Sequence, residues 1–558
     1  MGERVTRTDE TDPGQLDPGD TVTGHGGELG LAALRRFAVD TIFTLSGGHI
    51  FPFYDAAVRN GQVRLLDVRH EQTATFGAEA YAKLTRRVGV AALTAGPGIT
   101  NGISATTTAH FNGVPLLILG GRAPDYSWGS GSLQEFDHVP VMASITKAAS
   151  TVHETDAIGA AVYDAAELAT TPHRGPVFVD FPLDALFGSG TSVIPDRPLP
   201  RGQVPDSDAV RRIAELVANA ERPAIIAGSD VWLDGAHEAL VAAVEHLRVP
   251  TFVNGQGRGC LPADHELAFS RTRRLLRDES DLVVVIGTPL DFRLGFGKFG
   301  AAEVVHITDH PDRVTTQVPV VAGVGGDLTL VLRALADHTG HRRDHEDWIL
   351  RLRDRENAAA AAEMAYLTAD SDPIRPGRIY GELRQVLDRD AVVVCDGGDF
   401  VSYAGKYLDS YLTGRWLDPG PYGCLGTAMG YAAAARLVHR DAQVVVMLGD
   451  GAAGFSLMDV DTLVRHGLPV VMVVGNNGIW ALEKFPMQKL YGYHVAAELT
   501  PATRYDEVVR ALGGAGETVR RTQDIGPALR RAFASGVPYL VNVLTDPDDE
   551  YPRASALS

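Results

Sequence analysis

The chain has 558 residues, of which 45% are hydrophobic and 22% charged, and a formal net charge of −19. It is too long for one hydrophobic core and, at about 100–200 residues per domain, fits three or four domains. The acidic balance argues against nucleic acid or an anionic membrane as partner, and no uninterrupted apolar run has the length of a membrane span.

In chain order, residues 1–22 carry Asp, Glu, Thr, Gly and Pro with hardly any apolar residue and read as a disordered tail without a secretory signal. Residues 23–190 alternate helical and apolar stretches: Glu28–Phe37 is helical in pattern, and Thr41–Leu45, Val88–Thr94, Pro115–Gly120 and Pro176–Phe181 are strands. Pro195, Pro198, Pro200 and Pro205 mark a linker. A second block, 191–365, has strands at Pro223–Gly228, Val249–Asn254, Asp281–Gly287 and Glu303–Thr308, and closes on the charged helical stretch Arg342–Glu363, read as solvated and connecting. A third block, 366–558, opens with the strand Ala391–Asp396. The alternation predicts three doubly wound α/β domains with parallel sheets. Cys260, Cys395 and Cys424 have no metal-type spacing and cannot all pair with one another, which suits a reducing cytoplasm.

The third block carries the strongest chemical pattern. Ala442–Met447 is apolar throughout, as a parallel strand buried on both faces requires, and it runs into Leu448-Gly449-Asp450-Gly451. Phe455–His466 has a helical period, and a second apolar strand, Pro469–Val474, stops at Gly475-Asn476-Asn477-Gly478. Asp450 and Asn477 thus fall at the carboxyl ends of neighbouring parallel strands, where open α/β sheets bind ligands. Magnesium favours hard oxygen donors, one or two carboxylates with phosphate oxygens. Glycines beside Asp450 let main-chain amides approach a diphosphate at a helix N-terminus. The plain alternative is an acid that only caps the next helix.

In the first block, Arg69-His70-Glu71-Gln72 heads a helix rich in small residues. Glu71 is either a charge on a helix N-terminus or an acid placed for proton transfer.

Taken together, the Gly449-Asp450-Gly451 to Asn476-Asn477 unit and His70-Glu71-Gln72 resemble thiamin diphosphate enzymes of the acetohydroxyacid synthase and oxalyl-CoA decarboxylase branch. Gly96-Pro97-Gly98-Ile99-Thr100-Asn101 and Gly423-Cys424-Leu425-Gly426 fit the same resemblance. It implies a pyrimidine-binding domain, a Rossmann-like middle domain and a diphosphate-binding domain. It further implies thiamin diphosphate with Mg2+, the metal held by Asp450, Asn477 and the main-chain oxygen of Ile479. Cofactor contacts are implied at Gly98, Asn101, Gly398, Leu425, Gly449 and Gly451, with Leu425 wedged between the two rings. Glu71 would bond the aminopyrimidine nitrogen and drive the tautomer that removes the C2 proton. His49 and Gln134 are further catalytic positions, and Phe111 and Trp480 substrate contacts. Plain readings stay open for several of these: Gly98 as a turn, Leu425 as core, His49 and Gln134 as packing. The resemblance also implies self-association, as a dimer or tetramer, with Glu71 and Asp450 of one active site coming from different chains.

Within that branch, Asn254–Pro262 lacks the glycine-rich stretch of FAD-carrying members, so FAD is not expected. Glu483, in Ile479-Trp480-Ala481-Leu482-Glu483-Lys484, would be awkward beside a second anionic keto acid and useful, as a catalytic group in a partly apolar pocket, beside a neutral carbonyl. Asp309 follows a strand where an acid would bond the ribose of an adenine nucleotide such as ADP. Arg553 and Ser555, in the C-terminal tail, are able to bond a thioester. These features point to a 2-hydroxyacyl-CoA lyase, which cleaves an acyl-CoA thioester to formyl-CoA and an aldehyde or ketone. The alternative is an acetolactate synthase that condenses pyruvate with loss of CO2.

Overall fold

The computed structural model describes residues 20–340 and 343–552; residues 1–19 of the expected tail, and Arg553 and Ser555, lie outside the described residues. Three six-stranded sheets follow one another along the chain, and every pairing within them is parallel. The inner strands are the continuous apolar runs. Val444, Val445, Val446, Met447 and Leu448 are all buried, because helices cover both faces of a parallel sheet. The edge strands are shorter or more polar: Arg64–Asp67 and Ala149–Thr151 flank the first sheet, Ala268–Phe269 and Ala322–Gly325 the second, Trp416–Leu417 and Ala515–Val519 the third. A two-stranded antiparallel ribbon joins Thr21–His25 to Ser189–Val193, so among the described residues the first unit includes both of these strands.

Two helical expectations change. The segment expected as Phe455–His466 is broken into Asp450–Ser456, a 3-10 turn Leu457–Asp459, and Val460–Arg465. At the break, the buried Asp459 carboxylate accepts from Arg69 N and Thr73 Oγ1, each at 2.7 Å, and from Thr462 Oγ1 at 2.9 Å. The charged stretch forms the helix Glu346–Leu367, but it is not simply solvated. It buries Trp348, Ile349 and Leu352 against the middle sheet's core, and its buried Glu356 accepts from the main-chain amides of Ser270, Arg271 and Thr272.

The units are joined through the helix Glu71–Thr85, which crosses the helix Ala428–Val438 of the third unit. The crossing is close: a Cβ on Gly430 would lie 2.7 Å from the Thr73 carbonyl oxygen. Beside it a buried ion pair, Lys83 to Glu79 at 2.7 Å, is completed by Tyr431, whose hydroxyl donates to Glu79 and accepts from Lys83, each at 2.8 Å. Trp232 of the middle unit donates its indole N–H to the Lys83 carbonyl at 2.6 Å. His173 bonds Asp309 at 2.9 Å, and Arg174 pairs with Asp234 at the same distance, so the first and middle units are also clasped directly. No helix among the described residues is long and apolar enough to cross a membrane.

Removing one partner of a buried pair leaves an uncompensated charge. Lys83→Ala, which strands Glu79 between two units, is expected to cost about 3–5 kcal/mol, seen as a lower urea midpoint. The pair replacement Lys83→Met with Glu79→Leu is expected to recover most of that loss, and a midpoint unchanged by Lys83→Ala would show that the pair does not secure the joint.

Candidate functional site

Strands Val444–Gly449 and Val471–Asn476 are neighbours, with Gly449 opposite Gly475, so the segments that follow them emerge side by side at the carboxyl edge of the sheet. Asp450 is the first residue of the helix Asp450–Ser456 and is 3% exposed. Its carboxylate accepts from Gly478 N at 2.7 Å and from Gly451 N at 3.0 Å, while Asn477 Oδ1 accepts from Ile479 N at 3.2 Å. Asp450 thus reaches across to the turn that carries Asn477 and Ile479. Burial pushes its carboxyl up to about 6 against the pull of the two amides, and the nearby charge of Asp399 adds to the rise. Asp399, in the first turn of the helix Gly398–Tyr407, is itself buried. A cation here would relieve two mutually repelling carboxylates. The donor set of one carboxylate, an amide oxygen and a main-chain carbonyl suits magnesium. Gly451 cannot be replaced without cost, since a Cβ would lie 2.5 Å from the Trp480 ring.

The loop carrying Leu425 is organised by an acid that motif reading passed over. Asp396, at the end of the strand Val392–Asp396, is fully buried and accepts from Gly426 N at 3.1 Å and Ala428 N at 3.0 Å. Burial pushes this carboxyl up to about 7 in spite of those amides. Its only sequence signal is its position at the end of an apolar strand. Against the same loop lies the start of the helix Glu71–Thr85: Gln72 Nε2 donates to Leu425 O at 3.1 Å. Glu71, 8% exposed, accepts from Asn101 Nδ2 at 3.0 Å. Within one chain the start of the Glu71 helix therefore packs on the Leu425 loop.

A second group gathers at the carboxyl edge of the first sheet. His49 Nδ1 lies 3.2 Å from Thr94 Oγ1, a Cβ on Gly98 would meet the Thr94 methyl at 2.8 Å, and Gln134, with φ of 59°, lies against Gly96. Burial lowers the His49 pKa, and His138 nearby lowers it further. Gly96 N donates to His138 Nε2 at 2.9 Å, which leaves the ring proton on Nδ1 to be donated to Asp180 at 2.8 Å. His138 and Asp180 are both fully buried and hold this turn. Neither sits in a motif.

Other expected residues lie elsewhere. Phe111 stacks on Tyr422, with centroids 5.3 Å apart, at a crevice toward the middle unit that Asp230, Thr288, Arg293 and Arg313 also line. Asp309 is 2% exposed and already engaged by His173, with Arg174 at 3.7 Å, so the ribose-binding expectation meets a carboxylate in use. Glu483 is exposed in the first turn of the helix Ala481–Tyr491; its neighbour Lys484 pairs with Glu498 at 2.8 Å. Trp480 packs edge-on to Phe455 at 6.5 Å. Gly398 takes φ of 61° at the start of its helix.

Three family models match in order: the N-terminal thiamine pyrophosphate-binding domain over residues 24–141, the central domain over 210–335 and the C-terminal binding domain over 396–543. The chain is 51% identical over 543 residues to a protein of Mycobacterium bovis named probable acetolactate synthase, covering 96% of this chain and 98% of that protein. The acetolactate synthase large subunit IlvG of Mycobacterium tuberculosis matches with the same identity and coverage. A 2-hydroxyacyl-CoA lyase 2 of Caenorhabditis elegans is 35% identical over 547 residues, covering 89% of this chain and 84% of that protein. The chain belongs to the thiamine pyrophosphate enzymes.

The raised carboxyl of Asp396 has a consequence for stability. Because its folded pKa, about 7, lies above its ordinary value of 3.8, the fold holds that proton more tightly than the unfolded chain does. The contribution is therefore full below pH 3.8 and is lost as pH rises through about 7. Asp396→Asn, which keeps an acceptor for one amide, is expected to flatten the fall in melting temperature between these limits. A fall of unchanged steepness would mean that the carboxyl ionises without penalty.

Proposed function

We propose that this thiamine pyrophosphate enzyme works as an acetolactate synthase, joining the two-carbon fragment left by decarboxylation of pyruvate to a second 2-oxo acid. The observation that carries the choice is the 51% identity running through 98% of a relative so named, against 35% for the lyase of C. elegans. Thiamin diphosphate, when bound, supplies a nucleophilic carbon and an electron sink for the C–C bond that breaks. In this reading Asp450, Asn477 and the Ile479 carbonyl hold Mg2+, with Gly449, Gly451 and Gly398 giving the diphosphate room. Asp396 fixes the loop on which Leu425 supports the cofactor's bent shape. Glu71 holds a proton at the aminopyrimidine nitrogen, and Asn101 fixes the carboxyl in place. In the same reading the group around His49, Gln134 and Gly98, at the carboxyl edge of the first sheet, and Trp480 are substrate contacts.

The lyase reading keeps one support, the identity of 31–35% to several proteins named 2-hydroxyacyl-CoA lyase 2. Two of its residue arguments are weaker than they were in sequence: Asp309 is committed to His173, and Glu483 is exposed. Self-association also belongs to the proposal. Leu133, Phe455 and Met458, each more than half exposed, sit next to Gln134 and on the helical segment behind Asp450, a rim that a second copy would cover.

Purified protein with thiamin diphosphate and Mg2+ is expected to release CO2 and acetolactate from pyruvate. Formyl-CoA from a panel of 2-hydroxyacyl-CoA thioesters, with no acetolactate, would reverse the choice. Glu71→Gln is expected to bind the cofactor but to slow hydrogen–deuterium exchange at its C2, followed by NMR, by about 10²-fold or more, the usual scale of a general acid–base contribution. An unchanged rate would reduce Glu71 to a helix-end charge.

A further inference from the structure

Three side chains with metal-ligating atoms meet where the first unit touches the middle one. His173 comes from the turn between the helix Ile158–Thr170 and the strand Val177–Pro182, Asp230 from the short helix after the strand Pro223–Ala227, and Asp309 from the end of the strand Glu303–Thr308. The last two strands flank Leu282–Ile286 in the middle sheet, so the two acids stand at its carboxyl edge on either side of Gly287. Gly287 makes room there: its φ is 62°, and a Cβ on it would lie 3.1 Å from the Asp230 Cβ. One donor atom from each of the three residues lies within 4.8 Å of the other two. The acids differ in how they are satisfied. Asp309 is bonded to His173 at 2.9 Å and has Arg174 at 3.7 Å. Asp230 is 9% exposed and lines the crevice, and its carboxylate takes part in no hydrogen bond or ion pair among the described residues. The nearby guanidiniums are engaged elsewhere or turned to solvent: Arg174 pairs with Asp234 at 2.9 Å, Arg293 with Asp291 at 2.7 Å, and Arg313 is exposed. Burial, and then the charge of Asp309, push the Asp230 carboxyl well above its ordinary range, against the smaller pull of each of His173, Arg174 and Arg313. A buried carboxylate without a partner is costly, and a second one beside it raises the cost.

We infer that His173, Asp230 and Asp309 bind a divalent metal ion, Zn2+ by the chemistry of the donors, between the first and middle units. One imidazole nitrogen with two carboxylates suits zinc, whereas magnesium favours oxygen donors alone. At metal–ligand distances of about 2.0–2.2 Å, tetrahedral donors stand about 3.3–3.6 Å apart, a separation the cluster reaches by small side-chain rotations. The ion takes the place of the proton between His173 and Asp309 and neutralises Asp230, and water from the crevice fills its fourth position. The crevice holds about 50 Å³. That admits an ion with its water and falls well below the ~300 Å³ at which sites for organic ligands begin. The site is separate from the one at Asp450, which lies on the third sheet, and it does not rest on the reaction proposed above.

The test is calorimetric titration of the full chain, loaded with thiamin diphosphate and Mg2+, with Zn2+ in the continued presence of excess Mg2+. One saturable zinc site per chain is expected, with at least a tenfold loss of affinity in Asp230→Asn and in His173→Gln. Asp450→Asn is expected to bind zinc as the parent does, which separates this site from the one assigned to the cofactor's metal. X-ray absorption at the zinc edge is expected to show nitrogen and oxygen donors with one imidazole and no sulfur. The Asp230 carboxylate holds no partner that its replacement would strand, so Asp230→Asn and the absorption spectrum decide if His173→Gln does not fold. The proposal is overturned if zinc does not bind in excess Mg2+, if Asp230→Asn binds it as tightly as the parent, if Asp450→Asn loses it, or if the spectrum shows sulfur or no imidazole.

Discussion

The helix Glu71–Thr85 is the member on which the rest of this molecule depends. Its first turn carries Glu71 and sets Gln72 on the Leu425 carbonyl; its middle crosses the helix Ala428–Val438 at Gly430; its end buries Lys83, which touches all three units through Glu79, Tyr431 and Trp232. Small residues are needed along it because close approach of two backbones leaves no room for more. A charged pair is tolerated at its end because Tyr431 and Asn112 supply the remaining hydrogen bonds of Glu79. Seating of the Leu425 loop and cohesion of the three units are thus duties of a single helix, and a change in its tilt would be felt at both ends.

Around that helix the site is built from buried acids that serve as anchors for main-chain amides. Asp396 holds the Leu425 loop, Asp450 holds the turn after the next strand, and Asp459 receives the segment that leads into the helix of Glu71. A buried carboxylate is tolerable only when its oxygens are engaged. Backbone donors at loop ends do this without adding a cation. The same device in the first unit uses Asp180 and His138 to fix the turn at Gly96.

Much of this was legible in the residues, and the reasons for the gaps are physical. Inner strands announce themselves because burial on both faces demands unbroken apolar runs such as Val444–Leu448. Edge strands such as Arg64–Asp67 and Ala149–Thr151 carry polar residues because one flank is unpaired, and apolar periodicity cannot find them. Tyr539–Leu544 is an inner strand interrupted by Asn542, which is buried and donates to Thr503 O at 3.0 Å, and so it breaks the pattern for a structural reason. Motifs single out Asp450, Asn477 and Glu71 by residue type at short spacing, and all three are buried in the fold. Asp396, His138 and Asp180 act through partners thirty or more positions away, and only the folded chain brings them together. For Glu483 and Asp309, residue type and position suggest ligand contact, but spacing says nothing of surroundings: in the fold Glu483 is exposed and Asp309 is bonded to His173.

His173, which lines the crevice beside Asp230 and Thr288, is held by the buried Asp309 carboxylate and so joins the first unit to the middle one at the crevice wall. A molecule that draws on the Asp309 carboxylate must first release His173, so its binding free energy carries the cost of loosening that joint. Conversely, anything that tightens the joint weakens the molecule's hold by the same factor, because coupling between two equilibria is reciprocal. For a molecule of that kind, occupancy of the crevice and closure of the joint would be one thermodynamic variable read at two places.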